Sequence, residues 1–304
     1  MARRGSDAGG ALTVVALVLA WGSTFAAVKV GLAHAPPFLF AGIRSVLGGA
    51  AIGVLAWQRG GRPRLRARLG DYAVITVLNV VGFFTLQTLA ILALPSGLAS
   101  VLIYLQPVIT GVLAAPLLGE PLGVRKLGGL LLGFAGIVLV SAGALQGHVP
   151  LGGVGWAVAG ALVWSLGTIA FKRTQDRPDP VDPLWAVALS FLVGGVALSL
   201  LGVAVEPATI TWTGGFVVAL AYSSFVGTAL AWALWFGLVA SGEASRASSY
   251  IFFVPVVSLL VGAVLLHERV GPTLLAGGAL VVAGVYLANR PPRTMDGSAV
   301  PGAG

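Results

Sequence analysis

Long apolar runs, separated by short polar or Pro/Gly-rich segments, dominate the pattern of this chain. A helix needs about 20 apolar residues to cross the hydrocarbon core of a bilayer. The runs are continuous and show no period of two, so they predict helices rather than the strands of a membrane barrel. The sequence therefore predicts an all-α integral membrane protein with ten transmembrane helices, at 11–33, 36–57, 72–94, 97–118, 124–143, 153–171, 183–205, 212–240, 246–266 and 271–289.

The composition supports a membrane environment. Hydrophobic residues make up 57% of the chain and charged residues only 9%, and the mean hydropathy is +0.97. A soluble domain carries about 25% charged residues, so this chain has too few of them to cover a water-exposed surface. Cysteine is absent, which excludes disulfides and thiolate nucleophiles.

The basic residues predict the topology. The formal net charge is +8. A cytoplasmic N-terminus places fifteen basic residues at cytoplasmic positions and Arg269 alone in an outer loop, while Lys29 and Arg44 lie within spans. Both termini are therefore expected in the cytoplasm of a multi-pass protein of the cell (cytoplasmic) membrane. The basic cluster at 59–68 favours contact with anionic membrane lipid over a nucleic-acid partner. All three histidines, His34, His148 and His267, fall on the predicted outer side.

A tandem repeat organises the chain. Residues 99–139 align with residues 247–287, and sixteen of the 41 positions are identical, including Pro107/Pro255 and Glu120/Glu268. Each copy contains five spans, an odd number, so the second copy is predicted to insert upside down relative to the first, as in many secondary transporters. The predicted units are a first repeat at 11–142, a second repeat at 153–289, and flexible cytoplasmic tails at 1–10 and 290–304.

The repeated motif resembles a known family. Near the end of each half, a Pro…Glu-x-x-Gly pattern is followed by Gly-x₆-Gly, and the first spans share Trp21/Trp164 and Lys29/Lys172. With ten spans, this is similar to the EamA-type ten-helix exporters of the drug/metabolite transporter (DMT) superfamily. The resemblance implies export or exchange of small metabolites such as amino acids, or of toxic organic compounds.

Polar residues inside the spans are candidates for substrate binding. Arg44 lies in the second span, where a charge costs about 2.5–3.5 kcal/mol unless it faces water or a partner. It could attract a carboxylate in a central cavity, or it could snorkel or pair structurally. Asn79 and Gln87 share one face of the third span and could bind substrate or hold helices together. Tyr104 belongs to a similar face of the fourth span.

Aromatic residues and prolines complete the candidate set. Trp21 and Trp164 occupy matched mid-span positions, and Trp232 and Trp235 lie three residues apart in the eighth span. These four side chains could line a substrate cavity or simply pack in the core. Pro107 and Pro255 fall in mid-span, where proline removes a backbone donor, so they are candidate hinges or static kinks.

These features favour a secondary transporter that exports or exchanges a small molecule by alternating access. The alternative is a channel or a structural membrane subunit without carrier activity. An enzyme is not expected, because the chain has no nucleophile–base pair or metal-ligand motif at membrane depth. We therefore predict no catalytic residues, no metal site and no cofactor, and a monomer or homodimer in the membrane.

Overall fold

The structure, a computed structural model, describes residues 2–94, 96–140, 150–207, 209–266 and 272–290. All the regular secondary structure of these residues is helical. The α-helices are α1 (Ala2–Leu32), α2 (Pro37–Gln58), α3 (Leu65–Thr76), α4 (Phe83–Ala93), α5 (Ser96–Ile103), α6 (Gln106–Leu118), α7 (Val124–Val140), α8 (Leu151–Gln175), α9 (Pro183–Val205), α10 (Gly214–Tyr222), α11 (Ala231–Ser241), α12 (Ala244–Ser249), α13 (Phe253–Leu266) and α14 (Pro272–Asn289).

Seven stretches of the described residues are long and apolar enough to cross a membrane. They are Gly10–Leu32, Pro37–Gln58, Leu65–Ala93, Leu98–Leu118, Leu151–Gln175, Pro183–Val205 and Gly214–Ser241. The helical class is confirmed, whereas the count of ten spans stays a prediction. The shorter helices α7, α13 and α14 occupy the predicted fifth, ninth and tenth spans. His148, His267, Glu268, Arg269 and residues 291–304 lie outside the described residues.

The third span begins earlier than its apolar run. Helix α3 starts at Leu65, ahead of the predicted start at residue 72. Arg68 lies 3.3 Å from Asp71 and also donates to the backbone oxygen of Asp179. Arg177 lies 2.9 Å from Asp71. These ion pairs compensate the charges near the start of α3. Hydropathy alone does not include these charged residues in the third span.

Two spans contain π-helical segments at equivalent positions of the two repeats. The first, Val77–Gly82, joins α3 to α4, and the second, Ser223–Leu230, joins α10 to α11. The repeat spacing of 148 residues that aligns 99–139 with 247–287 also superimposes these two segments. Neither segment contains proline, so the sequence alone does not predict them. Single π-helical turns of this kind occur frequently at functional sites.

The α-helix is interrupted before each repeated proline. Helices α5 and α6 are separated at residues 104–105, and a 3-10 segment, Tyr250–Phe252, separates α12 from α13. Because proline has no N–H and clashes with the preceding turn, the helix changes its hydrogen bonding there. The Leu105 N–H accordingly bonds the Leu102 carbonyl, three residues back, at 3.2 Å. The hinge role of Pro107 and Pro255 stays a prediction.

Glycines allow two pairs of helices to touch through their backbones. The most extensive helix contacts are α2 with α9 and α7 with α14. A Cβ atom added to Gly136 would lie 2.7 Å from the Gly277 carbonyl oxygen, and one added to Gly277 would lie 2.6 Å from the Gly136 carbonyl oxygen. In the other pair, Gly42 faces Gly195 in the same way. Small residues thus permit close helix packing without a hydrophobic driving force.

Several of the remaining helix contacts occur in pairs related by exchange of the repeats. Helix α1 packs on α13, and its counterpart α8 packs on α6. Helix α8 also contacts α4, and α1 correspondingly contacts α10 and α11. This arrangement brings α1, α4, α8 and α11 together in the middle of the bundle, where the candidate site lies.

Candidate substrate site

Four tryptophans meet in the middle of the bundle. The ring centroid of Trp21 lies 5.8 Å from that of Trp164, 5.6 Å from that of Trp232 and 5.9 Å from that of Trp235. Trp164 lies 6.1 Å from Trp232 and 6.2 Å from Trp235. These separations are typical of aromatic contacts. The four candidate tryptophans therefore form one group, termed the tryptophan cluster, whose rings fill the centre in this conformation.

Phenylalanines from α4 and α9 extend the tryptophan cluster. Phe83 lies 4.8 Å from Trp164, and Phe84 and Phe191 lie 6.2 Å and 5.1 Å from Trp232. Sequence reasoning missed Phe84 and Phe191, because a phenylalanine in an apolar span carries no signal that separates it from ordinary core. Their contacts with Trp232 make α9 and α4 part of the wall around the cluster.

Two indole N–H groups of the cluster are without a partner in the described part of the chain. Nε1 of Trp164 and Nε1 of Trp235 are buried and make no hydrogen bond to any described residue. An unsatisfied buried donor costs about 1–3 kcal/mol, so native proteins seldom keep one without a reason. The cluster thus combines a large apolar surface with two donors available to an acceptor group of a ligand.

Arg44 lies beside the cluster. Its guanidinium carbon is 4.9 Å from the ring centroid of Phe84, and Phe84 contacts Trp232. Its Nε is buried without a hydrogen-bond partner, and no carboxylate pairs with it among the residues that the structure describes. A cation–aromatic contact offsets part of the cost of desolvation. Arg44 is thus an unpaired positive charge at the edge of the aromatic group.

Asn79 lies in the first π-helical segment and is fully buried. Its Nδ2 donates to the Ile75 carbonyl at 3.3 Å, while its Oδ1 has no partner. A Cβ atom on Gly167 of α8 would lie 2.5 Å from Asn79 Nδ2. In the second π-helical segment the glycine is on the other partner: Gly227 of the segment faces Thr24 of α1. Each π-helical segment thus meets the first helix of the other repeat.

Gln87 and Tyr104 lie away from the tryptophan rings. Gln87 is half-buried on α4, and its backbone nitrogen lies 3.8 Å from the Cβ position of Gly160 on α8. Tyr104 is buried at the break between α5 and α6. Among the described residues it makes no ring contact with the tryptophan cluster. A substrate role for these two residues stays a prediction.

Gln106 is a buried polar residue that the sequence reasoning missed. Its Nε2 lies 2.9 Å from Thr110 Oγ1 and 3.5 Å from both Thr168 Oγ1 and Ser248 Oγ. Ser165 Oγ donates to the Gln106 carbonyl at 3.1 Å, and Gln106 Oε1 has no partner among the described residues. These five residues, termed the polar cluster, join α6, α8 and α12. The missed signal was asymmetry, since the repeat places Val254 opposite Gln106.

A pocket of about 540 Å³ lies at one end of the bundle. Val14 precedes Trp21 by two turns of α1, and Leu238 follows Trp235 by one turn of α11. The pocket therefore lies on the side of the cluster that carries Arg246, which the charge distribution predicts to be cytoplasmic. Its lining includes Val14, Leu238, Glu243, Arg246, Tyr250 and Phe253.

Apolar spans around a buried aromatic and polar centre are typical of a multi-pass membrane protein with an internal site. The sequence matches the EamA-like transporter family over residues 8–142 and 151–290. The chain therefore belongs to this family, within the drug/metabolite transporter superfamily. The family resemblance stated from the sequence motifs is confirmed, and family and relatives alike indicate a transporter rather than an enzyme.

Several relatives have names that specify transport. The chain is 39% identical to the "uncharacterized transporter YvbV" of Bacillus subtilis (95% of this chain, 94% of the relative). It is 31% identical to a "probable amino-acid metabolite efflux pump" of Salmonella typhimurium (89% and 91%). It is 28% identical to a "probable terminal-alkyne amino-acid exporter" of Streptantibioticus cattleyicolor (91% and 92%). One crystal structure shares the fold, with a TM-score of 0.79 at 23% identity (93% and 96%).

Proposed function

We propose that the protein is a secondary transporter of the cell membrane that exports or exchanges a small amino acid-like metabolite. The observation that carries this proposal is the tryptophan cluster, which both repeats build together. Trp21 and Phe83 come from the first repeat, whereas Trp164, Trp232 and Trp235 come from the second. Because the rings touch across the repeats, a movement of one repeat against the other separates them and opens a site.

Two inverted five-span repeats provide that movement in the proposed mechanism. The paired helix contacts and the accumulation of basic residues at one end support this topology. Carboxylates also tie the repeats together at both predicted ends. Glu120 of the first repeat accepts from the Ala244 and Ser245 N–H groups, and Glu206 of the second accepts from the Phe38 and Leu39 N–H groups. Alternating access would loosen these two ties in turn.

The chemistry of the site favours a substrate with a carboxylate and an apolar body. Arg44 and the unpaired N–H groups of Trp164 and Trp235 are donors without acceptors. A carboxylate supplies two acceptor oxygens and a compensating charge, and the aromatic rings would contact an apolar side chain. Two relatives are named as exporting amino acids or amino-acid metabolites, which agrees with this substrate class.

Counterflow in proteoliposomes tests the proposal. Vesicles loaded with unlabelled L-leucine should accumulate labelled L-leucine with saturable kinetics, and collapse of a proton gradient should leave this exchange unchanged. Arg44→Ala should lower the affinity for L-leucine about tenfold or more, because the carboxylate loses its charge partner. Lys29→Ala, an exposed lysine of α1, is the matched control and should retain wild-type exchange.

Three outcomes contradict the proposal. Flux that never saturates would indicate a channel, and absence of exchange for every amino acid would reject the substrate class. An equal loss by Arg44→Ala for L-leucine and for amines without a carboxylate would remove the carboxylate role of Arg44.

A further inference from the structure

The polar cluster differs chemically from the tryptophan cluster that it adjoins. The side chains of Gln106, Thr110, Ser165, Thr168 and Ser248 are all fully buried. They come from α6 of the first repeat and from α8 and α12 of the second. Buried polar groups at membrane depth must find partners inside the protein or in a ligand.

The hydrogen bonds of this cluster leave one acceptor unused. The amide nitrogen of Gln106 is directed at three hydroxyl oxygens, those of Thr110, Thr168 and Ser248. The amide oxygen on the other side of the group is buried and accepts from no group in the described part of the chain. An amide oxygen can accept two hydrogen bonds, so the cluster lacks a donor for this oxygen.

An unused donor belongs to a residue that lies one helical turn from a member of the polar cluster. Thr168 is four residues beyond Trp164 on α8, and its hydroxyl donates to the Trp164 carbonyl at 3.0 Å. Ser165, the neighbour of Trp164, bonds the Gln106 backbone. One turn of helix is about 5.4 Å, and the Trp164 indole N–H is unpaired. A ligand that fits here presents a donor to Gln106 and an acceptor to Trp164.

We propose that the polar cluster binds the primary ammonium group of the transported compound and selects amines and amino acids over the corresponding carboxylic acids. This inference rests on the proposed function and specifies which part of the substrate the cluster recognises. An ammonium group carries three donors and no acceptor. Gln106 Oε1, the acceptor without a partner among the described residues, receives one of them.

The second repeat provides the internal control. At the position equivalent to Gln106 it has Val254, which is fully buried. The same backbone place in the fold is therefore filled by an apolar side chain, and the bundle contains one such ammonium site rather than two. Val254→Leu consequently perturbs packing at the equivalent place without touching the polar cluster.

Three probes of similar shape distinguish binding of the ammonium group from binding of the carboxylate. L-Leucine carries both charged groups, 3-methylbutylamine only the amine, and 4-methylpentanoate only the carboxylate. Tryptophan fluorescence of the purified full chain reports binding beside Trp164. Gln106→Leu should weaken L-leucine and 3-methylbutylamine about tenfold or more and leave 4-methylpentanoate within about twofold. Val254→Leu should change none of the three, and Gln106→Glu should tighten 3-methylbutylamine by adding a charge partner.

The outcomes that overturn the inference are distinct. An equal loss of all three probes by Gln106→Leu assigns the cluster a structural role only. A loss confined to 4-methylpentanoate means that the amide faces the ligand with its N–H groups. Wild-type exchange of L-leucine with an unchanged affinity in Gln106→Leu rejects the ammonium site and leaves the proposed function standing. Amine binding that depends on Gln106 in a protein without leucine exchange rejects the function and leaves the site.

Discussion

The crossing of α6 with α8 and the crossing of α13 with α1 occupy equivalent places in the two repeats, yet different interactions hold them. In the first, Ser165 donates to the Gln106 carbonyl at 3.1 Å. In the second, Gly22 stands at the position of Ser165, and a Cβ atom there would lie 2.6 Å from Val257 Cγ1. The fold thus accepts an apolar crossing at this place, so the polar residues of the first crossing are available for function.

The largest expected effect on stability comes from a substitution that pushes α1 and α13 apart where they cross. Gly22→Leu forces a side chain into the space that Val257 occupies and should lower the free energy of unfolding by about 3 kcal/mol. Thermal unfolding in mild detergent measures the loss. Gly10→Leu on the same helix is the control, because nothing lies within 4 Å of a Cβ atom there. Equal melting temperatures for the two variants would show that α1 and α13 do not need close contact.

A smaller effect is expected from the two matched tryptophans. Both rings contact Trp232 and Trp235. Within the described residues, Trp164 has a buried indole N–H without a hydrogen-bond partner, whereas Trp21 does not. Trp164→Phe should weaken 4-methylpentanoate about five- to tenfold, and Trp21→Phe less than about twofold. Fluorescence titration measures both, since the remaining tryptophans report. A larger loss with Trp21→Phe would mean that the indole N–H that binds the carboxylate belongs to Trp21, and it would contradict the assignment to Trp164.

The smallest effect concerns the hydrogen bond of the polar crossing. Ser165→Gly copies the second repeat and should lower the free energy of unfolding by about 0.6 kcal/mol, the average for a side-chain hydrogen bond between membrane helices. The reciprocal change, Gly22→Ser, must displace Val257 and should cost more. Thermal unfolding of the two variants compares them directly. A greater loss with Ser165→Gly would mean that the polar crossing stabilises the bundle after all.

Much of the fold was predictable because it follows from hydrophobic transfer alone. Continuous apolar runs predict the helices, and Trp21 and Trp164 stand out because membrane tryptophans usually lie at the interface rather than in mid-span. The glycines of the fifth and tenth spans let these helices pack closely, as the contact of Gly136 with Gly277 shows. That the two helices pack against each other depends on tertiary arrangement and was not predicted.

Other features depend on packing that a sequence pattern does not contain. The segment Val77–Gly82 has an ordinary helical composition, and its π-helical form depends on how α8 packs against it, with Gly167 beside Asn79. The signal that marks Gln106 in the sequence is asymmetry, because the repeat pairs this polar residue with the apolar Val254.

The matched π-helical segments have a historical consequence. An irregularity present in both repeats belongs to the five-helix unit itself, and a lone unit would have to pair with an inverted copy of its own chain. Symmetry would then duplicate every side chain, so Arg44 would bring a second buried arginine into the same bundle, and like charges repel strongly in a medium of low dielectric. Here the equivalent of Arg44 is Val187, which is fully buried. Fusion of two units into one gene is what allows a binding site to carry its charge on one side only.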